Sequence, residues 1–148
     1  MMFPVDIWAI LGGLAVGFGA SLALGLVLGI LSMFAVVREH GGGDDMEVFD
    51  EALEAETRAL FAQPMMQLGM AVFSLVAMLL AGFLTARWAQ GAPMQNAALM
   101  AALTMVLGLM MGREAHTEMP RWLIWFGYLV TVPAALAGAW LHQLSVGG

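Results

Sequence analysis

The stretch AILGGLAVGFGASLALGLVLG, residues 9–29, carries a small residue at every fourth position. These positions are Ala9, Gly13, Gly17, Ser21, Gly25 and Gly29. Residues four apart lie nearly above one another on a helix, so the small residues form one ridge, which drifts by ~40° at each step. Small residues at this spacing let two transmembrane helices approach closely. We predict that this glycine zipper packs the first helix against another helix, in the same bundle or in a second chain.

The composition around that stretch is that of a membrane protein. Of the 148 residues, 61% are hydrophobic and 11% are charged, with a mean hydropathy of +0.87, whereas a soluble domain is about 25% charged. The net charge is -6 and no lysine is present, so the basic footprint of a nucleic-acid-binding protein is absent. The absence of cysteine excludes disulfides and thiolate metal ligands. We therefore expect the lipid bilayer as a partner, and no nucleic acid.

Four hydrophobic segments are long enough to cross a bilayer, whose hydrocarbon core is ~30 Å thick. They cover about residues 5–37, 65–88, 93–112 and 122–144. The first is longer than a span requires, so it must tilt or project beyond the lipid. Gly108 and Gly112 form a GxxxG pair on the third. The predicted fold is all-α, a single polytopic membrane domain over residues 1–148 with four transmembrane helices.

Residues 38–63 form the only long polar segment and separate the first two spans. Apolar residues recur there at helical spacing on one face, at Met46, Phe49, Leu53 and Leu60. Acidic residues fill much of the remainder, so anionic lipid would repel this helix. We predict an acidic amphipathic surface helix between spans one and two. Its apolar face could dock on the headgroups, on its own bundle or in the groove of a partner.

The tryptophans agree with four spans and with both termini on one side of the membrane. The terminal side receives Trp8, Trp88 and Trp140, and the opposite side receives Trp122 and Trp125. Such amphipathic rings favour the headgroup level, which explains two separate belts. Of the five arginines, only Arg87 lies on the terminal side. By the positive-inside rule we expect cytoplasmic polar loops and external termini, in the inner membrane of a bacterial cell.

The sequence contains no recognisable catalytic constellation. A nucleophile paired with a base, a phosphate-binding glycine loop and an HExxH motif are all absent. Metal-ligating residue types occur in two polar loops, as Glu39, His40, Asp44 and Asp45 and as Glu114, His116 and Glu118. Their spacing matches no metal motif, and solvated loop charges explain them more simply. We predict no enzyme, no metal and no cofactor, with His40 and His116 as the candidates that a metal site would use.

One part of the sequence resembles a known pattern. The stretch AGFLTARWA, residues 81–89, precedes Gly91-Ala92-Pro93 and an alanine-rich third span. It resembles a loose group of small uncharacterised four-span bacterial membrane proteins, in which the second span ends in Gly, an aromatic residue and Ala-Arg. Pro120-Arg121-Trp122 and residues 133–138 are similar to the last span of that group. The likeness covers residues 79–141 and implies the four-span architecture without any activity.

From these observations we expect an accessory or scaffold protein that packs with itself or with partner membrane subunits through small-residue helix faces. The reasons are an extensive packing surface, a surface helix able to bind a partner, and no chemical site. The alternative is a small oligomeric carrier or channel for an apolar or small solute. Such a carrier would need a polar-lined cavity near the middle of the membrane.

Overall fold

The computed structural model describes the backbone of residues 5–40, 46–115 and 120–147, and the side chains of residues 5–38, 49–110 and 120–147. These ranges contain helices and no strand, so the predicted all-α class is confirmed. The elements are α1 (Ile7–His40), α2 (Met46–Ala62), α3 (Pro64–Trp88), α4 (Pro93–Ala115) and α5 (Arg121–Val146). By length and composition, all of them except α2 could cross a membrane.

Prolines and one aspartate set several of the helix boundaries. Asp6 precedes α1, and its Oδ1 accepts a hydrogen bond of 3.1 Å from the backbone N–H of Ala9, as an N-cap carboxylate does. Pro64 and Pro93 are the first residues of α3 and α4, and Pro120 stands directly before α5. A helix has no internal partner for its first N–H groups, so proline loses no hydrogen bond at its first position.

The helices alternate in direction, so the bundle has two distinct ends. The terminal end holds the starts of α1 and α4 and the ends of α3 and α5. The loop end holds α2 and the opposite end of each of those helices. Within the described residues, α3 packs against every other helix and most extensively against α5, whereas no Cα atom of α1 lies within 8 Å of one in α5. Helix α3 therefore lies at the centre of the bundle.

The crossing of α3 and α5 brings two helix backbones into direct contact. A Cβ atom at Gly82 would overlap the carbonyl oxygen of Ala135. A Cβ atom at Gly138 would overlap the carbonyl oxygen of Leu79. Ala81 and Ala135 beside this crossing are fully buried. Transmembrane helices associate largely through van der Waals packing, so these small residues favour the close contact.

Helix α2 lies at the loop end against its own bundle. The 34 residues of α1 span ~51 Å at ~1.5 Å per residue, ~20 Å more than the hydrocarbon core. After residues 41–45 the chain turns back as α2, which packs against α1 and α3. Ser32 and Val36 near the end of α1 are buried. The projecting end of α1 is thus partly covered by the surface helix.

The predicted apolar face of α2 is half-buried in this arrangement. Phe49, Leu53 and Leu60 are each partly covered, whereas the neighbouring acidic residues Glu51 and Glu54 are exposed. The side chain of Met46 falls outside the described residues. Docking on its own bundle was one of the three positions that the sequence allowed for this helix. A further role of the same face in binding a partner stays a prediction.

Candidate functional site

The first half of the small-residue row on α1 packs inside the bundle. A Cβ atom at Gly13 would overlap Oγ1 of Thr85 and would lie 3.1 Å from Cγ of Met100. At Gly17, a Cβ atom would lie 3.9 Å from Cβ of Ala81, which is an ordinary contact. The row therefore gives α1 its close approach to α3 and α4 in the terminal half of the bundle.

The second half of the row is exposed, although Ser21 and Gly25 also border a cavity at the loop end of the bundle. Ala9, at the start of the row, is buried, but Ser21, Gly25 and Gly29 are exposed. A Cβ atom at Gly25 or Gly29 would meet no heavy atom within 4 Å. The drift of ~40° per step accounts for this, because Gly29 points ~160° away from Gly13 around the helix. We call Ser21, Gly25 and Gly29 the open row.

A shallow apolar groove follows the open row along the outside of α1. Its volume is about 430 Å³, and its remaining lining residues are Leu22, Leu26, Ile30 and Met33. The side chains of these four larger residues are exposed. No other helix of the described chain contributes to the groove. This face of α1 is therefore open to whatever surrounds the bundle.

The predicted GxxxG pair on α4 is only partly described. A Cβ atom at Gly108 would lie 3.5 Å from Cε1 of Tyr128 on α5, an ordinary van der Waals contact. Gly112 lies within α4, but its surroundings fall outside the described residues. The GxxxG pair therefore places Gly108 towards α5 without a close backbone crossing.

Gly82 and Gly138, the two described glycines that meet the backbone of another helix, are absent from the predicted packing positions. Gly82 has Ala86 four residues later, and Gly138 has Ala134 four residues earlier. Both pairs have the small-xxx-small spacing that favours close packing of transmembrane helices. The pattern that indicates a crossing is therefore present on α3 and α5, although it is shorter than the row on α1.

An apolar cavity of about 410 Å³ lies at the loop end of the bundle. It lies between α1 and α5, and within the described residues no Cα atom of one helix is within 8 Å of a Cα atom of the other. All five helices line it, with Leu24 and Leu28 of α1, Phe61 of α2, Met70 and Ser74 of α3, Met105 of α4, and Ile124 and Thr131 of α5 among the lining residues. Small-molecule sites between helices have volumes of about 300–1,000 Å³, so this cavity has the size of a binding site.

The side-chain polar groups around the cavity are the hydroxyls of Ser21, Ser74, Thr104, Tyr128 and Thr131, and three of them are hydrogen-bonded within their own helices. The hydroxyls of Ser21, Thr104 and Thr131 donate to carbonyl oxygens one turn earlier, at 3.0, 2.9 and 2.6 Å. No Asp, Glu, Lys, Arg or His lines the cavity among the described residues. The lining is therefore mainly apolar and differs from the polar lining that we expect of the carrier alternative. Its chemistry suits a hydrocarbon.

Gln67 joins three helices beside the outer end of the cavity. Its Nε2 donates a 2.9 Å hydrogen bond to the carbonyl oxygen of Phe61, at the end of α2. Its Oε1 accepts a 3.2 Å hydrogen bond from Nε1 of Trp122, at the start of α5. Phe61 and Leu123 line the cavity next to these bonds. The side chain of Gln67 thus fixes the corner between α2 and α3 relative to α5.

Asp6, Gln90 and Asn96 form a polar cluster, which we call the terminal clamp. It connects the start of α1 to the turn between α3 and α4. Oδ1 of the fully buried Asn96 accepts a 2.9 Å bond from the N–H of Asp6, and its Nδ2 donates a 2.8 Å bond to the Gly91 carbonyl. Oδ2 of Asp6 accepts a 3.2 Å bond from the N–H of Gln90. The N–H groups of Ala9 and then Gln90 hold the pKa of Asp6 below its ordinary value of 3.8.

The histidine candidates for a metal site fall outside the part of the chain whose side chains are described. This applies to His40 and His116 and to their carboxylate neighbours Glu39, Asp44, Asp45, Glu114 and Glu118. Among the described residues, no group of three or more ligating side chains could hold a metal ion. The remaining histidine, His142, packs edge-on against Phe83, with ring centroids 5.3 Å apart.

The fold defines the class of this protein as an all-α membrane protein with four helices that could span the bilayer. No known protein family matches the chain, and no curated protein or solved structure is detectably similar to it. The resemblance to small four-span bacterial proteins therefore stays a prediction. Two features of the described residues bear on function, namely the open row on α1 and the cavity at the loop end.

Proposed function

We propose that this chain is an integral membrane accessory or scaffold protein that assembles through the open row of α1. One observation carries the proposal. The small-residue spacing continues unbroken from the packed half of α1, yet a Cβ atom at Gly25 or Gly29 would meet no heavy atom within 4 Å. The same small-residue spacing that packs α1 against α3 and α4 therefore also lies on the exposed face of α1.

Small residues favour helix association in a bilayer in a way that exposed leucines do not. Lipid tails are as apolar as leucine, so burying Leu22 or Leu26 against another helix gains little over lipid. Glycines at four-residue spacing let two backbones approach, which adds van der Waals and Cα–H···O contacts. Every copy of the chain carries the same row, so the row can meet itself about a two-fold axis. A second copy is thus the proposed occupant of the groove.

A matched pair of glycines on α1 tests this proposal. Gly29 and Gly19 are both exposed and both open, but only Gly29 lines the groove. We expect Gly29→Leu to weaken self-association by about tenfold or more, equivalent to ~1.4 kcal/mol, because the side chain would separate the two backbones. Gly19→Leu should leave the association unchanged. Energy transfer between labelled copies in liposomes, over a range of protein-to-lipid ratios, measures the equilibrium.

The thermal unfolding of both variants serves as the control for the fold of the monomer. Neither leucine would meet another atom of its own chain at Cβ, so both variants should unfold like the wild type. Equal self-association of the wild type and Gly29→Leu would contradict assembly through the open row. Loss of a different co-purifying subunit in Gly29→Leu would assign the row to a foreign partner.

The cavity favours a second candidate function, that of a small carrier for an apolar solute. Its inner end lies near Gly17, Met78 and Thr131, and the closely packed terminal half of the bundle begins there. In the described residues, Met100 and Ala135 are fully buried within that half. A solute could therefore cross only if α1 moved relative to α4 and α5. Since the lining is mainly apolar and three of its hydroxyls already donate within their own helices, an apolar solute suits it better than a polar one.

The arginines support an orientation with the loop end in the cytoplasm, in a bacterial inner membrane. Arg38, Arg58, Arg113 and Arg121 belong to the loop end, and Arg87 to the terminal end. The positive-inside rule counts basic residues near span ends and gives little weight to acidic ones. Both termini would accordingly face the outside of the cytoplasmic membrane.

Cysteine labelling tests this orientation, because the chain contains no cysteine of its own. Ser145 at the terminal end and Ala59 on α2 are both exposed. We expect a membrane-impermeant maleimide to label Ser145→Cys in intact spheroplasts, and Ala59→Cys only after the membrane is permeabilised. The opposite pattern would reverse the orientation.

A further inference from the structure

We propose that the cavity at the loop end binds one acyl chain of a membrane phospholipid, taken from the leaflet on that side. The proposal does not rest on self-association: the cavity shares Ser21 and Gly25 with the groove on α1, but Gly29 lines the groove alone and Ser74 and Gly127 line the cavity alone, so the two can be tested separately. Three observations on the described residues support it: the depth of the cavity, the chemistry of its lining and the position of its outer end.

The cavity has the depth of one leaflet. Along α1 its lining extends from Leu28 to Gly17, a rise of ~16 Å at ~1.5 Å per residue. Half of the ~30 Å hydrocarbon core is nearly the same length. The inner end, at Gly17 and Thr131, therefore lies close to the level at which a lipid chain of that leaflet ends.

The lining suits a hydrocarbon and disfavours both water and an empty space. A buried water molecule needs two to four polar partners, and of the five hydroxyls that line the cavity, those of Ser21, Thr104 and Thr131 already donate to their own helices. A vacant apolar space would forfeit the van der Waals contacts of Met70, Met105 and the other lining side chains. A flexible methylene chain restores those contacts and requires no hydrogen bond.

The outer end of the cavity lies at the level expected for lipid headgroups. Helices α1 and α5 line the cavity from opposite sides, and within the described residues no Cα atom of one lies within 8 Å of a Cα atom of the other. At the outer end, Gln67 and Trp122 are hydrogen-bonded to each other beside the lining residues Phe61 and Leu123. Tryptophan favours the headgroup level, so a lipid headgroup would lie next to Trp122 while its chain points inward.

Photolabelling with phosphatidylcholine that carries a diazirine in one acyl chain tests the proposal. The protein is reconstituted in liposomes, irradiated and digested, and the labelled residues are located by mass spectrometry. With the diazirine near the headgroup we expect labels around Phe61 and Leu123. With the diazirine at the chain end we expect labels around Met78 and Thr131. Labels at both depths inside the cavity, in that order, are the predicted result.

Variants that fill the cavity provide the second arm of the experiment. Ser74→Leu and Gly127→Phe each add volume at a lining position, and a Cβ atom at Gly127 would meet no heavy atom within 4 Å. We expect cavity labelling to fall by about tenfold, the effect of ~1.4 kcal/mol in binding. Gly69→Phe is the matched control, since Gly69 is exposed, equally open and outside the cavity lining. Its labelling should equal that of the wild type.

Two results would overturn the proposal. One is labelling confined to outward-facing residues such as Leu109 and Leu129 and equal in all variants, which would mean that lipid only surrounds the bundle. The other is cavity labelling by a free diazirine fatty acid that excess phosphatidylcholine does not displace, which would assign the site to the free acid. The oligomeric state of Ser74→Leu and Gly127→Phe should match the wild type, so failure here is distinguishable from failure of assembly through α1.

Discussion

The side chain of Asn96 is fully buried at the terminal end of the bundle, so its amide does not reach bulk water. Both ends of that amide are nevertheless used, by the N–H of Asp6 and by the carbonyl oxygen of Gly91. A hydrogen-bonded polar group is stable in a buried site, whereas an unpaired one carries a large desolvation penalty. Asn96 therefore sets how the start of α1 meets the turn between α3 and α4.

At the scale of single residues, we predict that Asn96→Leu destabilises the bundle by ~1–3 kcal/mol, because it leaves the N–H of Asp6 and the Gly91 carbonyl without their partner. Gln95→Leu is the control, since Gln95 is the exposed neighbour on the same helix turn. Unfolding in a detergent series, followed by tryptophan fluorescence, measures both variants. Equal stability of the two variants would mean that the clamp does not hold the bundle together.

Part of this clamp could be predicted from the sequence. Asp6 directly precedes an apolar helix, which is the position of an N-cap, and Asn96 is the one asparagine of the chain and lies in an apolar span. Buried polar residues in spans find partners, so Asn96 indicates a contact. Its partner could not be predicted, because Asp6 is 90 residues away in the chain. Only the packing of α1 beside α4 brings the two together.

At the scale of elements, the crossing of α3 and α5 explains which glycines control the fold. The obstacles to a methyl group at Gly82 and Gly138 are backbone carbonyls, which cannot move aside as a flexible side chain can. We predict that Gly82→Ala and Gly138→Ala each destabilise the bundle by about 1–3 kcal/mol or more, the usual effect of overpacking. Thermal unfolding in detergent micelles gives the comparison.

Gly69→Ala on α3 is the control for these two variants. A Cβ atom there would meet no heavy atom within 4 Å, so alanine should be neutral or slightly stabilising through its higher helix propensity. Equal stability of Gly82→Ala and Gly69→Ala would mean that α3 and α5 can move apart at Gly82 without a loss in the free energy of unfolding. The close crossing would then not be the contact that stabilises the bundle most.

The helices themselves follow from the sequence, but their contacts follow only in part. Long apolar segments and the prolines before α3, α4 and α5 define the spans. The row on α1 predicts a close approach, and Gly13 makes one. The spacing of the row could not predict the residue at which the close approach ends, because this depends on the direction in which α1 diverges from α3. The small-xxx-small pairs Gly82–Ala86 and Ala134–Gly138 contain fewer small residues than the row on α1. Their spacing alone therefore does not predict that they pack more closely than that row.

At the scale of the whole molecule, the two ends of the bundle differ in packing. In the terminal half, buried alanines, Met100 and the terminal clamp around Asn96 fill the space between the helices. The loop half is open, with the cavity and the groove next to each other along α1. Residues Ser21 and Gly25 border both spaces. Composition could predict a membrane bundle but not this difference between its two ends. The difference arises because the cavity separates the backbones of α1 and α5 in the loop half.

Native mass spectrometry of the protein, extracted from its own membrane in a mild detergent, tests the central claim of assembly most directly. We predict a complex of two copies of this chain, which dissociates to the monomer in Gly29→Leu and persists in Gly19→Leu. A stoichiometric foreign subunit instead of a second copy would keep the accessory role and reassign the open row to that partner. A monomer at every detergent concentration, with no other subunit bound, would contradict assembly and favour the carrier of an apolar solute.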